Sequence, residues 1–141
     1  MSLRYLLDTG PAFDYMFRRR GVFDRVRALR RSGARIGIAV PVLGEIVAGV
    51  EGSGSRERTW DVVRRTVNQL ILWPYDKDAA YEYGRIFAEL KRRGRPMQQV
   101  DIQIGAIART LGDCTVVSSD SDLSAIPGLK VENWSSSMHQ L

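Results

Sequence analysis

Apolar residues along this chain fall into two patterns: short unbroken blocks, and longer stretches where they recur every three or four positions. Residues 3 to 8, "RIGIAV" (35 to 40), "ILWPYD" (71 to 76), "TVVSS" (115 to 119) and "LKVENW" (129 to 134) are blocks and predict strands. "GPAFDYMFRR" begins helically with proline near its first turn, and "GVFDRVRALRRSG" continues as a second helix stopped at Gly33. After Pro41, the positions Leu43, Ile46, Val47 and Val50 form one helical face with Glu45 beside it. "GSGS" (52 to 55) is a turn, and Val63, Val67, Leu70 and Ile71 mark the next helix. A helix over 78 to 93 directs Tyr83, Ile86, Phe87 and Leu90 to the core, and "RGRP" closes it. The helix from Gln99 to Leu111 buries Val100, Ile104, Ile107 and Leu111, while Asp101, Gly105 and Ala108 share a small-residue face, which predicts open space in front of Asp101.

Strands alternating with helices imply an α/β fold whose parallel sheet is covered on both faces. Functional sites in such sheets lie at the carboxyl ends of the strands. Asp8 and the acids after "VVSS" both fall there. The 141 residues, 44% of them hydrophobic, fit one domain, with no internal repeat and no linker-like tract. The amino-terminal apolar run is too short for a signal peptide, and no stretch approaches the ~20 apolar residues that span a bilayer. A cytoplasmic protein without membrane association is expected.

Charge is unevenly divided. Residues 1 to 95 hold 19 Lys+Arg against 11 Asp+Glu, and residues 96 to 141 hold 2 against 5. The clusters "RRR" (18 to 20), "RALRR" (27 to 31) and "KRRGR" (91 to 95) suit phosphate groups, because guanidinium forks match phosphate oxygens. An anionic partner follows.

The chemistry must come from carboxylates. His139 is the only histidine, and a single Cys114 reads as a small buried residue, so a serine triad, a two-histidine mechanism and a zinc centre lack parts. "DTG" at 8 to 10 also opens the active-site loop of aspartic proteases, yet the segment after it reads as helix, against their β-rich architecture. A phosphoaspartate receiver would need an acidic pair after the first strand, and a haloacid-dehalogenase-like phosphatase would need D-x-D there; neither is present. Carboxylate oxygens suit Mg²⁺, with Mn²⁺ as substitute, which bridges phosphate oxygens and lowers the pKa of a bound water.

Four segments in order carry a family resemblance: "YLLDTGP", "VPVLGEIVAGV", "AELKRRGRPMQQVDIQIGAIARTLG" and "VVSSDSDLSAIPGLKVENW". Together they resemble the PIN-domain ribonucleases, most closely the VapC-type toxins of type II toxin-antitoxin pairs. The resemblance implies a single PIN domain over 1 to 141, a three-layer α/β/α sandwich with a short, mainly parallel central sheet. Carried over position by position, it makes Asp8, Glu45, Asp101 and Asp120 the catalytic and metal-holding acids, with Asp122 as the alternative fourth acid. Thr9 and Ser118 would support them through hydrogen bonds to a carboxylate or a phosphate. Leu123 stands where the family usually has phenylalanine, and Ser119 where asparagine is frequent. The activity implied is Mg²⁺-dependent endoribonuclease action, with a cognate small VapB-like antitoxin and a second copy of the chain as partners. The "GRP" turn is similar to that of the subgroup cutting initiator transfer RNA. A non-toxin PIN nuclease of RNA processing and a catalytically silent RNA-binding domain are the competing readings.

Overall fold

The computed structural model describes residues 3–54 and 56–137. Its centre is a five-stranded parallel sheet of β1 (Arg4–Leu7), β2 (Arg35–Ala39), β3 (Ile71–Trp73), β4 (Cys114–Val117) and β5 (Lys130–Glu132), in the order β3-β2-β1-β4-β5. Successive strand residues point to opposite faces, yet Leu6 and Leu7, Ile36 and Ile38 with Ala39, and Val116 and Val117 are all buried. Both faces are therefore covered, which is why these strands read as unbroken apolar blocks. The α/β architecture expected from the sequence holds, and every strand pairing among the described residues is parallel.

Helices connect the strands: α1 (Thr9–Met16), α2 (Val22–Arg31), α3 (Val40–Glu51), α4 (Arg56–Val67), α5 (Lys77–Arg92), α6 (Gln99–Leu111) and a short α7 (Trp134–Ser137) that the sequence pattern did not predict. Helix α6 packs on α5, α3 and β4, and α1 packs on α2, α3 and α4. Three expected details differ. Helix α4 ends at Val67, so Leu70 sits in the following turn and Ile71 starts β3. Phe87 lies half exposed on α5, whose buried positions are Ala79, Ile86 and Leu90. The small-residue face of α6 is closed rather than open: Ile126 and Leu129 lie against Gly105, where an added Cβ would come within 2.6 Å of the Ile126 methyl. The space at Asp101 comes from its place in the first turn, ahead of that packing.

Gly37 is the tightest point of the sheet. A Cβ there would sit 2.4 Å from the Ile71 carbonyl oxygen of the neighbouring strand, so only glycine lets β2 and β3 pair.

The chain winds outward from β1 through β2 to β3, then returns to place β4 on the other side of β1. The direction of winding reverses between β1 and β4, and the crevice outside the carboxyl ends of such strands is where open α/β sheets bind ligands.

Candidate active site

Register builds the first part of the site. Leu7 pairs with Val117, so the next residues, Asp8 and Ser118, leave their strands side by side. The Asp8 N–H donates to the Val117 carbonyl at 2.9 Å and continues the ladder by one rung. The Ser118 hydroxyl, buried at 2% exposure, donates to Asp8 Oδ2 at 2.8 Å. The Asp120 N–H donates to Ser118 Oγ at 2.9 Å, and Asp120 Oδ1 accepts the Asp122 N–H at 2.9 Å as it caps the 3-10 turn Ser121–Ala125. One buried serine thus ties the acid after β1 to the acid after β4.

Asp8 is also the N-cap of α1, its Oδ1 accepting the Thr9 N–H at 2.8 Å. Capping and a place in the site are therefore compatible, one oxygen serving each. The Thr9 hydroxyl donates to Glu45 Oε1 at 2.6 Å and brings in the exposed acid from α3. Asp101 lies half-buried in the first turn of α6.

Asp101 is the electrostatic centre. Its carboxyl is raised from 3.8 to about 6, first by burial and then by the charges of Asp8, Asp120, Glu45 and Asp122. Acids from three other segments, those of Asp8, of Glu45 and of the Asp120–Asp122 turn, thus act on Asp101 at the carboxyl edge of the sheet. Beside them a cleft of about 390 Å³ is lined by Pro96, Met97, Gln98, Asp101, Asp120 and Asp122.

The two candidates for the fourth acid differ in their partners. Asp122 forms an ion pair with Arg95 at 3.0 Å, whereas Asp120 is bound to the serine that holds Asp8. Arg95 is the residue of this site that sequence reasoning missed, having grouped it with the phosphate-binding cluster "KRRGR". The helix end separates them. Gly94, at φ +64, lets its own N–H reach the Lys91 carbonyl and the Arg95 N–H reach the Leu90 carbonyl, so the chain turns back and carries Arg95 to the acids. The "RGRP" punctuation was the available signal.

The other basic clusters divide too. Arg30 of "RALRR" donates to the Tyr15 hydroxyl and to the Gln69 carbonyl, a structural tie between α2 and the turn before β3. Arg18 lies over the Phe23 ring at 4.1 Å. Cys114 is buried, its thiol pushed up to about 12 by desolvation, consistent with a packing role. Trp73 and Trp134 are buried. His139 and residue 55 of the "GSGS" turn lie outside the described residues.

The donor set fits a hard divalent cation. It consists of carboxylate oxygens, and their mutual repulsion at Asp101 is what a bound cation would relieve. Among the described residues, no three of the acids are gathered into a ready-made metal cluster. In the metal-free protein, the raised Asp101 pKa means that the folded state keeps its proton more tightly than the unfolded chain. Stability therefore falls as pH rises from 3.8 to about 6, and the penalty is fully present above that window. Solvent screens the half-exposed group, so the expected penalty is about 1 kcal/mol. Thermal unfolding in EDTA should show Asp101→Asn more stable than wild type at pH 7.5 and the difference gone at pH 3.5. An identical pH profile for the two proteins would contradict the electrostatic picture.

Comparison with known proteins bears on the family and the fold. The PIN domain family matches residues 5–129. The chain belongs to the PIN-domain family. Among curated relatives, it is 31% identical over 133 residues to the tRNA(fMet)-specific endonuclease VapC of Shigella flexneri, covering 94% of this chain and 99% of that one. It is 30% identical over 132 residues to the protein of the same name from Salmonella typhimurium, covering 94% and 98%. The fold is similar to a solved DNA-bound VapBC from Salmonella typhimurium, at TM-score 0.84 and 29% identity over 94% of this chain and 98% of that one. It is also similar to VapBC2 from Rickettsia felis bound to a promoter DNA fragment, at TM-score 0.86 and 22% identity over 94% and 99%.

Proposed function

We propose that the whole chain, residues 1 to 141, works as one PIN domain that hydrolyses RNA phosphodiesters as the VapC-type toxin of a toxin-antitoxin pair. The observation that carries the chemistry is the convergence of Asp8, Glu45, Asp101 and Asp120 where the sheet reverses its winding. Asp8 and Asp101 are the residues to hold Mg²⁺ directly, because they are the less exposed of the four. A bound divalent cation would neutralise charge on the phosphate and lower the pKa of the attacking water.

Each residue then has a defined part. The Ser118 hydroxyl and the Thr9 N–H fix the two oxygens of Asp8. The Thr9 hydroxyl fixes Glu45 Oε1, leaving Oε2 to accept a hydrogen bond from water and take up its proton. Water oxygen bonds to phosphorus as the P–O3' bond breaks, the departing O3' takes a proton from solvent water, and the products carry a 5'-phosphate and a 3'-hydroxyl. Asp120 is the fourth acid and Asp122 the anchor of Arg95, since an ion-paired carboxylate already has its counter-charge.

The relatives named as tRNA(fMet)-specific endonucleases make initiator transfer RNA the first substrate to test. Neighbours solved as VapBC complexes support a small antitoxin partner, and an acidic site invites a basic side chain from it. No helix among the described residues is long and apolar enough to cross a membrane, which suits work in the cytoplasm, where the RNA is.

The test is cleavage of initiator transfer RNA and of total RNA, with Mg²⁺ and with EDTA. Cleavage in Mg²⁺ alone is expected, with new 5'-phosphates. Asp120→Asn should lose about tenfold in rate and Asp122→Asn less than threefold, by analogy with residues orienting metal ligands. The reverse order would exchange their roles. Metal-independent cleavage would overturn the proposal.

A further inference from the structure

We infer that a second pocket on the same edge of the sheet is a backbone-phosphate subsite for the RNA strand, with the Arg19 and Arg20 guanidinium groups as its phosphate ligands. The inference rests on the reading of the acids as an RNA-cleaving site and adds a binding position outside them. The pocket holds about 250 Å³, and its lining includes Gly10, Asp14, Arg19, Arg20, Ser119 and Asn133.

Its position follows from the topology. Gly10 lies two residues beyond Asp8 after β1, Ser119 immediately precedes Asp120 after β4, and Asn133 immediately follows β5. The segments that follow two of the acid-bearing strands, the start of α1 and the turn after β4, therefore also form part of this pocket, and the residue after β5 extends it along the sheet edge. A strand of RNA with one phosphate among the acids has the pocket directly beside it.

Its chemistry complements the acids. A cluster of carboxylates repels a polyanion except where a cation intervenes, so affinity for the flanking phosphates has to come from basic groups nearby. Arg95 is engaged by Asp122. Arg19 and Arg20 offer two guanidinium forks against the single carboxylate of Asp14 in the pocket lining. Both are exposed and placed by a tight turn. The Arg19 N–H donates to the Asp14 carbonyl at 2.7 Å, the Val22 N–H donates to the Arg19 carbonyl at 3.1 Å, and Arg20 takes φ +56. The Arg19 guanidinium lies over the Phe17 ring at 5.4 Å.

The experiment uses fluorescein-labelled initiator transfer RNA, the first substrate proposed above, with total RNA as a second cleavage substrate. Binding is titrated in EDTA across a NaCl series, and cleavage of both RNAs is followed in Mg²⁺. Arg19→Gln and Arg20→Gln should each raise KM about tenfold with kcat within twofold, and each should make the salt slope shallower by about one. Arg58→Gln, an exposed site on α4 with the same charge change, should match wild type. Arg19→Lys, which keeps charge but not the fork, should fall between, and unfolding curves should overlay for all variants. Arg19→Gln and Arg20→Gln behaving like Arg58→Gln would overturn the subsite, whether all three bind normally or all three weaken equally. Weakened binding confined to the two pocket variants, with wild type cleaving neither initiator transfer RNA nor total RNA in Mg²⁺, would support the subsite and refute the hydrolytic reading instead.

Discussion

Asp101→Asn and Asp8→Asn are each expected to cut Mg²⁺-dependent RNA cleavage by about 10³-fold or more while the protein stays folded. A cation that neutralises phosphate charge contributes several kcal/mol to the transition state, and every ~1.4 kcal/mol lost is a factor of ten in rate. Asparagine keeps the size of each side chain and removes the charge. At Asp8 it also keeps an oxygen able to accept the Thr9 N–H, so the cap of α1 is retained. At Asp101 it removes a half-buried charge and relieves repulsion from Asp8, Asp120, Glu45 and Asp122, so the inactive protein should be more stable than wild type in EDTA at neutral pH. Loss of activity with a gain of stability is a pattern that misfolding does not produce. Single-turnover cleavage assays beside unfolding curves check it, and near wild-type cleavage by either variant would remove that acid from the site.

The legible parts of this chain were those where local physics acts alone. The β1, β2 and β4 segments are buried on both faces, so their sequences are unbroken apolar blocks that no surface helix would carry. Helix α6 was bounded correctly at Gln99–Leu111 because a proline precedes it and a glycine follows it. The Leu70–Ile71 boundary failed because helical spacing continues by coincidence into a strand whose partner, Gly37–Ala39, is 34 residues away in the sequence. Periodicity puts Phe87 on the apolar stripe of α5 but not at its edge, because spacing shows that a stripe exists while its centre depends on where α6 lies.

The site shows the same division. Asp8 and Asp120 were placed at strand ends by pattern, and their convergence follows from one register, Leu7 with Val117. Periodicity gave Glu45 and Asp101 positions on helices but no partners; those came from the family resemblance. The Arg95–Asp122 pair was legible from neither, since it depends on the direction in which the chain leaves α5 after Gly94. The split of "KRRGR" between a helix end and the acid cleft is a tertiary fact. A charge cluster in sequence is not a charge cluster in space.

Ser118 should prove the most sensitive residue that is not itself an acid. Its hydroxyl donates to Asp8 Oδ2 and accepts from the Asp120 N–H, so Ser118→Ala leaves a carboxylate oxygen without its donor and a backbone N–H without its acceptor. The residue is 2% exposed, and water has little room to replace either bond. Groups that orient metal-holding side chains typically cost about 10–100-fold in affinity or activity when removed, and a loss in that range is expected here. The manner of loss separates positioning from general damage. If Ser118 acts by holding Asp8, Ser118→Ala should need about tenfold more Mg²⁺ for half-maximal cleavage, within the range for such orienting groups, and should regain much of its rate as Mg²⁺ is raised. Asp8→Asn should not recover, because the oxygen charge itself is gone. Thr9→Val is the matching test on the other branch, where loss of the hydroxyl frees Glu45 but leaves both Asp8 oxygens with their partners. It should lower kcat with little change in the Mg²⁺ requirement, because Glu45 is assigned to the water rather than to the cation. A Mg²⁺ titration across the three variants decides the point, and a Ser118→Ala defect untouched by Mg²⁺ would reduce the serine to packing.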